Sequence, residues 1–275
     1  MINPGLEGKI VVVTGANNPQ GIGAAVARAF AAQGATILLH YLRVPTDARI
    51  AMAPDEVLRA IDVVGGRARA WESDLADPAT IPRLFDDAER AFGPVDVLIN
   101  NAAHSEIDTF IPPGKNLRNT LVELFAERRD PISVESFDRS FAVNTRAVAL
   151  LMAEFARRHV ARGAVWGRIV NVSTAGAYMF PSEVSYGASK LALEAYTRSA
   201  ASELGQFGIA VNAVSLGPVQ TGWITQELER RLLSSIPLGR VGTPEEVADV
   251  IVFLASEQAR WVTGQTIFVG GGHGM

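Results

Sequence analysis

The chain has 275 residues, a mass of 29.4 kDa and a net charge of −4 at pH 7. This length favours one large α/β unit, and the 48% hydrophobic share supplies a core and excludes disorder as the main theme. The acidic balance argues against a binder of nucleic acid or of anionic membranes. With no cysteine, the chain has no disulfide, thiolate nucleophile, iron–sulfur site or cysteine-built zinc site. The apolar runs are shorter than the roughly 20 residues of a membrane span, and the N-terminus lacks a signal-peptide pattern, so a cytoplasmic location is expected.

Short apolar runs alternate with longer helical patterns, beginning almost at the N-terminus. Runs rich in Val, Ile and Leu are typical of parallel strands that helices cover on both faces. Seven such strands and six helices predict one domain over residues 1–275, a Rossmann-type doubly wound parallel sheet. In chain order the predicted elements are strand Lys9–Thr14, helix Gly21–Gln33, strand Ala35–Tyr41, helix Asp55–Val64, strand Arg67–Ser73, helix Pro78–Phe92, strand Val95–Asn100, helix Val134–Arg162, strand Arg168–Ser173, helix Val184–Phe207, strand Ile209–Ser215, helix Pro244–Ser256 and strand Thr266–Val269.

The stretch from His104 to Ser133 fits none of these elements. It holds two adjacent prolines and a glycine, then an apolar and acidic segment, Leu117–Glu127, with the pattern of a helix. Insertions of this length in a compact domain are usually lids or binding loops. We therefore expect a lid or pocket wall, and a surface excursion or an oligomer contact is the alternative.

A glycine-rich loop, Thr14–Gly23, follows the first predicted strand directly. Glycines let the backbone turn sharply and let a phosphate approach closely, and the next helix offers free N–H groups to a pyrophosphate. The position between the first strand and a helix rich in small residues favours a dinucleotide site over a plain turn. The residues expected to bind the cofactor here are Gly15, Asn17, Gly21, Ile22 and Gly23.

The end of the second predicted strand indicates which cofactor is used. A carboxylate at this point would hold the adenosine ribose diol and repel a 2′-phosphate. Instead the chain has Arg43, whose planar guanidinium suits a phosphate, preceded by His40 and Tyr41, which can add donors. NADP(H) is therefore favoured over NAD(H), although an arginine that is simply exposed is the alternative.

Tyr186 and Lys190 lie one turn apart on a predicted helix, so they share one face. The chain has only three lysines and four tyrosines, which makes this spacing uncommon by chance. A free phenol has a pKa of about 10 and is a poor acid or base at neutral pH. A cation nearby is expected to lower the pKa of Tyr186 toward the working range. Ser173, thirteen residues upstream, ends a strand where α/β sheets place their ligand-facing loops.

With these residues in view, the chain resembles the short-chain dehydrogenase/reductase family over nearly its whole length, in the branch similar to 3-oxoacyl-acyl-carrier-protein reductases. The resemblance rests on several separated segments and above all on the Tyr-x-x-x-Lys pair with its upstream Ser and Asn. The family-like segments are Thr14–Gly23, Asp74-Leu75, Asn100–Ala103, Asn144, Ile169–Ser173, Tyr186–Lys190, Leu216–Thr221, Gly242–Ser256 and Thr263–Val269.

The resemblance implies a catalytic tetrad of Asn144, Ser173, Tyr186 and Lys190. Tyr186 would exchange a proton with the substrate oxygen, and Ser173 would bond to that oxygen. Lys190 would hold the nicotinamide ribose and depress the pKa of Tyr186, while Asn144 would hold a water that links Lys190 to solvent. The resemblance also implies cofactor contacts from Asp74 and Leu75 at the adenine, from Asn100, Asn101, Ala102 and Ala103 on the adenosine side, and from Gly217, Val219 and Thr221 at the carboxamide.

The chain departs from the family pattern at a few positions. The phosphate loop has five residues between Gly15 and Gly21, as in the divergent enoyl-reductase branch. That branch has its tyrosine seven residues before the lysine, where this chain has Glu183, so the enoyl interpretation is rejected. Leu216-Gly217 replaces Pro-Gly, Gly270 stands for the usual aspartate, and Ala103 stands for a glycine.

The residues expected to face the substrate are mostly apolar or aromatic, which suits a bulky carbonyl. The leading hypothesis is an NADP(H)-dependent carbonyl reductase. An NAD(P)-dependent alcohol or sugar dehydrogenase is the runner-up, and a nicotinamide-binding redox sensor without turnover is the alternative of another class. No metal site is expected, because the histidines lack ligand spacing. Family resemblance implies a homotetramer built on the two long helices. The expected substrate-facing residues are Ala103, His104, Ala175, Gly176, Tyr178, Met179, Phe180, Trp223 and Ile224.

Overall fold

The computed structural model describes residues 4–44, 53–113, 115 and 130–274. The strands are β1 Ile10–Val13, β2 Thr36–Tyr41, β3 Arg67–Glu72, β4 Val97–Asn100, β5 Gly167–Thr174, β6 Ile209–Leu216 and β7 Thr266–Val269. The α-helices, numbered over these residues, are α1 Ile22–Ala32, α2 Asp55–Val63, α3 Thr80–Phe92, α4 Val134–Phe141, α5 Val148–Ala161, α6 Val184–Leu204, α7 Gln226–Leu232 and α8 Pro244–Ala255.

The seven strands form one parallel sheet in the order β3-β2-β1-β4-β5-β6-β7. Every residue of β1, β4 and β6 is buried, which explains why these segments read as unbroken apolar runs. Two apolar cores lie on opposite faces of the sheet, one packed on α1 and α8 and the other on α3 and α5. The predicted doubly wound fold is confirmed. Its strand order reverses between β1 and β4, which is where such sheets bind ligands.

Among the differences from the predicted elements, four concern the helices and their ends. Helix α3 begins at Thr80 instead of Pro78, because Asp77 accepts from the Ala79 amide in a tight turn before the helix. The long pattern Val134–Arg162 is interrupted by a π-helical segment, Ala142–Ala147. Helix α6 ends at Leu204, and a 3₁₀ turn, Gly205–Phe207, follows it. Helix α7 was not predicted, because its short and mostly charged sequence carries only two leucines, Leu228 and Leu232, which are partly buried against a small apolar cluster.

Both described ends of the 104–133 insertion lie against the start of α6. Thr109 donates its amide to the Asp130 carbonyl and accepts from the Ile132 amide, so the two ends are joined. The buried carboxylate of Asp108 accepts from the Ser185 amide at 2.9 Å and from the Ser136 hydroxyl at 3.1 Å. The foot of the insertion is therefore attached directly to the helix that carries Tyr186. The predicted helix Leu117–Glu127 lies outside the described residues.

Candidate active site

The glycine-rich loop is built around close backbone contacts that no side chain could fit. Gly15 has a φ of +67°, and a Cβ added there would lie 2.7 Å from the Cα of Ala102. A Cβ on Gly23 would collide with the Gly15 carbonyl oxygen. These two glycines let β1, the loop and α1 approach one another more closely than any other residue allows.

The ends of β1 and β4 are tied together beside this loop. Asn101 donates its side-chain amide to the carbonyls of Thr14 and Gly15 at 2.9 and 2.8 Å. The Thr14 hydroxyl accepts from the amides of Asn101 and Ala102, both at 3.0 Å. Asn101 thus supports the loop with its side chain, while the neighbouring Ala103 is exposed. The cofactor contacts expected of these residues stay predictions.

The N-terminus of α1 has the features of a pyrophosphate site. No described side chain caps it, and its first turn contains no acidic residue. Free N–H groups and the positive end of the helix dipole therefore face the loop. On the loop, Asn18 donates to the Thr221 carbonyl at 3.3 Å. The segment predicted to contact the nicotinamide carboxamide therefore lies against the loop predicted to contact the pyrophosphate. The residues present fit a dinucleotide cofactor.

The predicted carboxamide-side residues form a tight wall. A Cβ on Gly217 would lie 2.7 Å from the Cα of Gly270, so this glycine is required by the close approach of the chain before the C-terminus. Val219 is 6% exposed and is bridged to Gly242. Its backbone, held in this bridge, is better placed to meet a ligand than its side chain.

The adenosine edge differs from the expectation at His40. This ring is 2% exposed, and its Nε2 lies 2.9 Å from the Ser73 carbonyl. Burial lowers the pKa of His40 to about 4, so the ring is neutral at pH 7. His40 therefore supports the sheet and does not present a cationic donor to a ligand. Leu75 is likewise buried in the core, at 4% exposure.

Arg43 is paired with an acid that inspection of the second strand did not reveal. Its guanidinium donates to both oxygens of Glu72, Nε to Oε1 at 2.8 Å and Nη2 to Oε2 at 2.6 Å. Glu72 ends β3, and β3 pairs Glu72 with Tyr41 across from β2. The sequence places Tyr41 and Glu72 at the ends of two predicted strands, but it does not show that these two strands pair. Asp74, two residues further on, accepts from the Ala76 amide.

The structure brings Tyr186 and Lys190 together and buries Lys190, but their electrostatics differ from the expectation. Lys190 Nζ lies 5.8 Å from the centre of the Tyr186 ring and donates to the Val172 carbonyl at 2.7 Å. Burial raises the pKa of Tyr186 above its usual value, and the charge of Glu183 raises it further. Burial lowers the pKa of Lys190 to about 8. The pKa of Tyr186 is therefore shifted in the direction opposite to the expected one, because desolvation raises it, and the effect expected of Lys190 stays a prediction.

Ser173 has a partner that the sequence argument did not anticipate. Its hydroxyl donates to Glu194 Oε1 at 2.6 Å. Ser173 is 3% exposed and Glu194 fully buried, and no described residue donates to the other Glu194 oxygen. Glu194 lies one turn beyond Lys190 on α6. The same helical spacing that placed Lys190 beside Tyr186 could therefore have identified Glu194 as a neighbour of the site.

Asn144 lies in the π-helical segment between α4 and α5. Its Oδ1 accepts from the His104 amide, and its Nδ2 donates to the His104 carbonyl, both at 2.8 Å. The same Nδ2 donates to Ser189 Oγ at 3.0 Å, and Ser189 in turn donates to the Tyr186 carbonyl. Asn144 therefore connects the start of the insertion to the helix of Tyr186 and Lys190. Its predicted role in holding a water stays a prediction.

The expected substrate residues divide into an exposed rim and a buried part. Tyr178 is 67% exposed and Trp223 is 43% exposed, while Phe180 packs edge-on against the Tyr186 ring at 5.8 Å. Ile224 is buried in a small cluster with Ile236 and Val241, so it does not face a ligand.

The C-terminal segment is an additional wall of this region that the sequence argument missed. A Cβ on Gly274 would lie 3.2 Å from Ala175 Cβ, so the end of the chain packs beside an expected substrate residue. His104 lies near Glu106, at 3.3 Å, on the insertion side.

Comparisons with known proteins agree with this geometry. A family model described as Enoyl-(Acyl carrier protein) reductase matches residues 15–273. An uncharacterized oxidoreductase of Bacillus subtilis is 37% identical over 266 residues, which is 96% of each chain. A hydroxynaphthalene reductase-like protein of Metarhizium robertsii is 33% identical, over 97% of this chain and 95% of its own. A solved short-chain dehydrogenase/reductase from Serratia marcescens has a TM-score of 0.80 at 29% identity, over 98% of this chain and 99% of that one.

Within the described part of the chain, no helix is long and apolar enough to cross a membrane. The match to the family model covers nearly the whole length, and the solved relative shares the parallel sheet. The chain therefore belongs to the short-chain dehydrogenase/reductase family of oxidoreductases.

Proposed function

We propose that the protein is an NADP(H)-dependent reductase that converts a bulky ketone to an alcohol, with Tyr186 as the general acid. The observation that carries the proposal is the juxtaposition at the carboxyl edge of the sheet. Tyr186 and Lys190 lie on one face of α6, Ser173 ends β5, and Lys190 donates to the β5 backbone at Val172. The glycine-rich loop and the uncapped start of α1 supply a dinucleotide site at the same edge.

The nicotinamide, when bound, supplies the hydride, and the protein supplies orientation and the proton. The Tyr186 phenol is protonated at neutral pH and would give its proton to the substrate oxygen as negative charge develops there. Its raised pKa makes it a weaker donor unless a cation comes closer. Lys190 places a buried amine one turn away, fixed on the Val172 carbonyl. In the family such a lysine would bind the nicotinamide ribose, and its removal from Val172 would bring its charge toward Tyr186.

The rim of the site favours an apolar or aromatic ketone. Tyr178, Met179 and Trp223 are exposed there, together with Phe110 from the insertion. Aromatic surface of this kind suits a ring-bearing or long-chain substrate, such as a 3-oxoacyl group. The name of the Metarhizium relative, a hydroxynaphthalene reductase-like protein, points in the same direction.

We infer carbonyl reduction and not enoyl reduction, although the matching family model carries the enoyl name. Seven residues before Lys190 the chain has Glu183, whose carboxylate accepts from Ser105 at 2.8 Å. The enoyl-reductase branch has a tyrosine in that position, and this chain does not. Tyr186 therefore remains the proton donor of the proposal.

Oxidation of an alcohol is the second candidate, and one observation favours it. The Ser173 hydroxyl already donates its single proton to Glu194, so its oxygen is left to accept a hydrogen bond. An alcohol substrate has a proton to donate and a ketone does not. Both directions therefore have to be assayed.

The test compares NADPH oxidation with a panel of aromatic and acyl ketones, and NADP⁺ reduction with the matching alcohols, in the wild type and Tyr186→Phe. Loss of the hydroxyl should lower kcat by at least about 100-fold, the usual contribution of a general acid. Tyr196→Phe, which removes an exposed hydroxyl further along α6, is the matched control and should retain activity. Full turnover by Tyr186→Phe would refute the assignment.

We further propose a cytoplasmic homotetramer that acts on a small molecule and needs no metal. Apolar side chains exposed on α4, on α5 and just after α6, including Phe137, Leu150 and Phe207, support contacts between copies of the chain. We also propose that the insertion forms a pocket wall, since Asp108 fixes it beside Tyr186. Light scattering of the purified protein tests the oligomeric state.

A further inference from the structure

Arg43 and Glu72 form a two-pronged ion pair at the carboxyl edge of the sheet. In addition to the two guanidinium contacts, the Arg43 backbone amide donates to Glu72 Oε1 at 3.3 Å. The Tyr41 hydroxyl also bonds to Glu72 and helps to hold the pKa of that carboxyl below its usual range, after the larger effect of Arg43. One carboxylate thus organises the two side chains that the sequence argument assigned to a 2′-phosphate.

This pair lies beside the dinucleotide loop. The amide of Ala16, in the loop, donates to the carbonyl of His40, one residue before Tyr41. Tyr41 and Glu72 are neighbours in register at the ends of β2 and β3. An adenosine that follows the loop toward the β2 end therefore meets the Arg43–Glu72 pair first.

We propose that Glu72 is a specificity-determining residue that occupies Arg43 in the free protein and sets the choice between a 2′-phosphate and a 2′-hydroxyl on the adenosine. This inference rests on the proposed dinucleotide function, but it does not depend on which cofactor the wild type prefers. To bind Arg43, a 2′-phosphate must displace Glu72 from the guanidinium. The phosphate then lies beside the anionic carboxylate of Glu72. A 2′-hydroxyl carries no charge and leaves the pair intact.

The exchange is feasible because the pair is exposed. The side chains of Arg43 and Glu72 are 50% and 31% exposed, and exposed pairs of this kind are weak. A phosphate can accept the same pair of hydrogen bonds from the planar guanidinium, and it carries more charge than a carboxylate. Glu72 should therefore reduce the affinity for NADPH by a modest factor without abolishing binding. The alternative is a surface ion pair that has no effect on cofactor choice.

The experiment measures the dissociation constants of NADPH and NADH, by the fluorescence of the bound nucleotide, for the wild type, Glu72→Gln, Arg43→Ala and the double variant. Glu72→Gln removes the competing charge and keeps the size of the side chain. It should tighten NADPH by about three- to tenfold, the range expected for releasing an exposed ion pair and one nearby repulsion, and change NADH by less than about twofold. Arg43→Ala should weaken NADPH by about tenfold, and in that background Glu72→Gln should give a smaller gain.

Glu154→Gln is the control, because Glu154 makes a two-pronged contact with Arg157 on α5, where it also accepts from Arg158. It removes one negative charge and should leave the ratio of the two constants unchanged. If both dinucleotides bind and Glu72→Gln leaves that ratio unchanged or weakens NADPH, the inference about Glu72 is overturned while the proposed function stands. If neither dinucleotide binds the wild type, the proposed function is overturned together with it.

Discussion

Replacing Gly15 by alanine should destabilise the folded protein for two reasons, backbone strain and a steric clash. Gly15 has a φ of +67°, a conformation that costs a residue with a side chain about 1–2 kcal/mol. The added Cβ would also lie 2.7 Å from the Cα of Ala102, a backbone atom that cannot rotate away. Overpacking of this kind costs about 1–3 kcal/mol more. We therefore expect Gly15→Ala to lower the free energy of unfolding by about 2–5 kcal/mol.

Gly8 is the matched control, because its φ is +73° and no described atom lies within 4 Å of an added Cβ. Gly8→Ala pays only the backbone cost of about 1–2 kcal/mol. It lies before β1, at the end of the sheet opposite the site. Urea unfolding of both variants measures the difference, and titration with NADPH measures cofactor affinity. Gly15→Ala should also weaken NADPH binding, because Ala102 and the loop must move apart. Equal losses of stability and unchanged affinity in both variants would refute the reasoning.

Three further predictions follow from buried polar groups. The pKa of His40 is about 4 in the folded protein, against an ordinary value of 6.5. As the pH falls, the unfolded chain therefore binds a proton before the folded protein does. The free energy of unfolding should fall by up to about 3 kcal/mol between pH 6.5 and pH 4. Urea unfolding at pH 7 and pH 4.5 should show a smaller drop for His40→Gln, and an equal drop would contradict the assignment. Asp108→Ala removes the acceptor of two buried hydrogen bonds and should lower the free energy of unfolding by about 2–3 kcal/mol. It should also lower kcat, because the start of α6 is no longer held in place. Unchanged thermal unfolding would argue against this. Ser173→Ala leaves the buried carboxylate of Glu194 without a donor and should cost about 2–3 kcal/mol, whereas the double change with Glu194→Leu should cost less than the sum of the two single changes. Additive losses in that cycle would show that the two side chains do not interact.

Local patterns were sufficient to predict the seven strands in their chain order and to place Tyr186 and Lys190 on one helix. The runs in β1, β4 and β6 are apolar because both faces are buried, and helical spacing placed Tyr186 and Lys190 on one face. The loop glycines were likewise readable, because close backbone approach permits no other residue. The strand runs and the helical spacing depend on residues within a few positions of one another, whereas the contact of Gly15 with Ala102 depends on the fold.

The partners of these groups could not be read locally. Glu72 meets Arg43 because β3 lies beside β2, and Glu194 meets Ser173 because α6 packs on β5. His40 was expected to add a donor to the cofactor site and is buried, because the elements packed over the end of β2 exclude it from solvent.

The pKa of Tyr186 shows the same division most clearly. The sequence by itself determined that a lysine stands one turn away, which predicts a lower value. Only the tertiary structure decided how much water is excluded from both groups and that Lys190 donates to Val172. Spacing along a helix specifies which charges are near, but desolvation depends on every element packed around them, so the direction of the shift is a property of the fold.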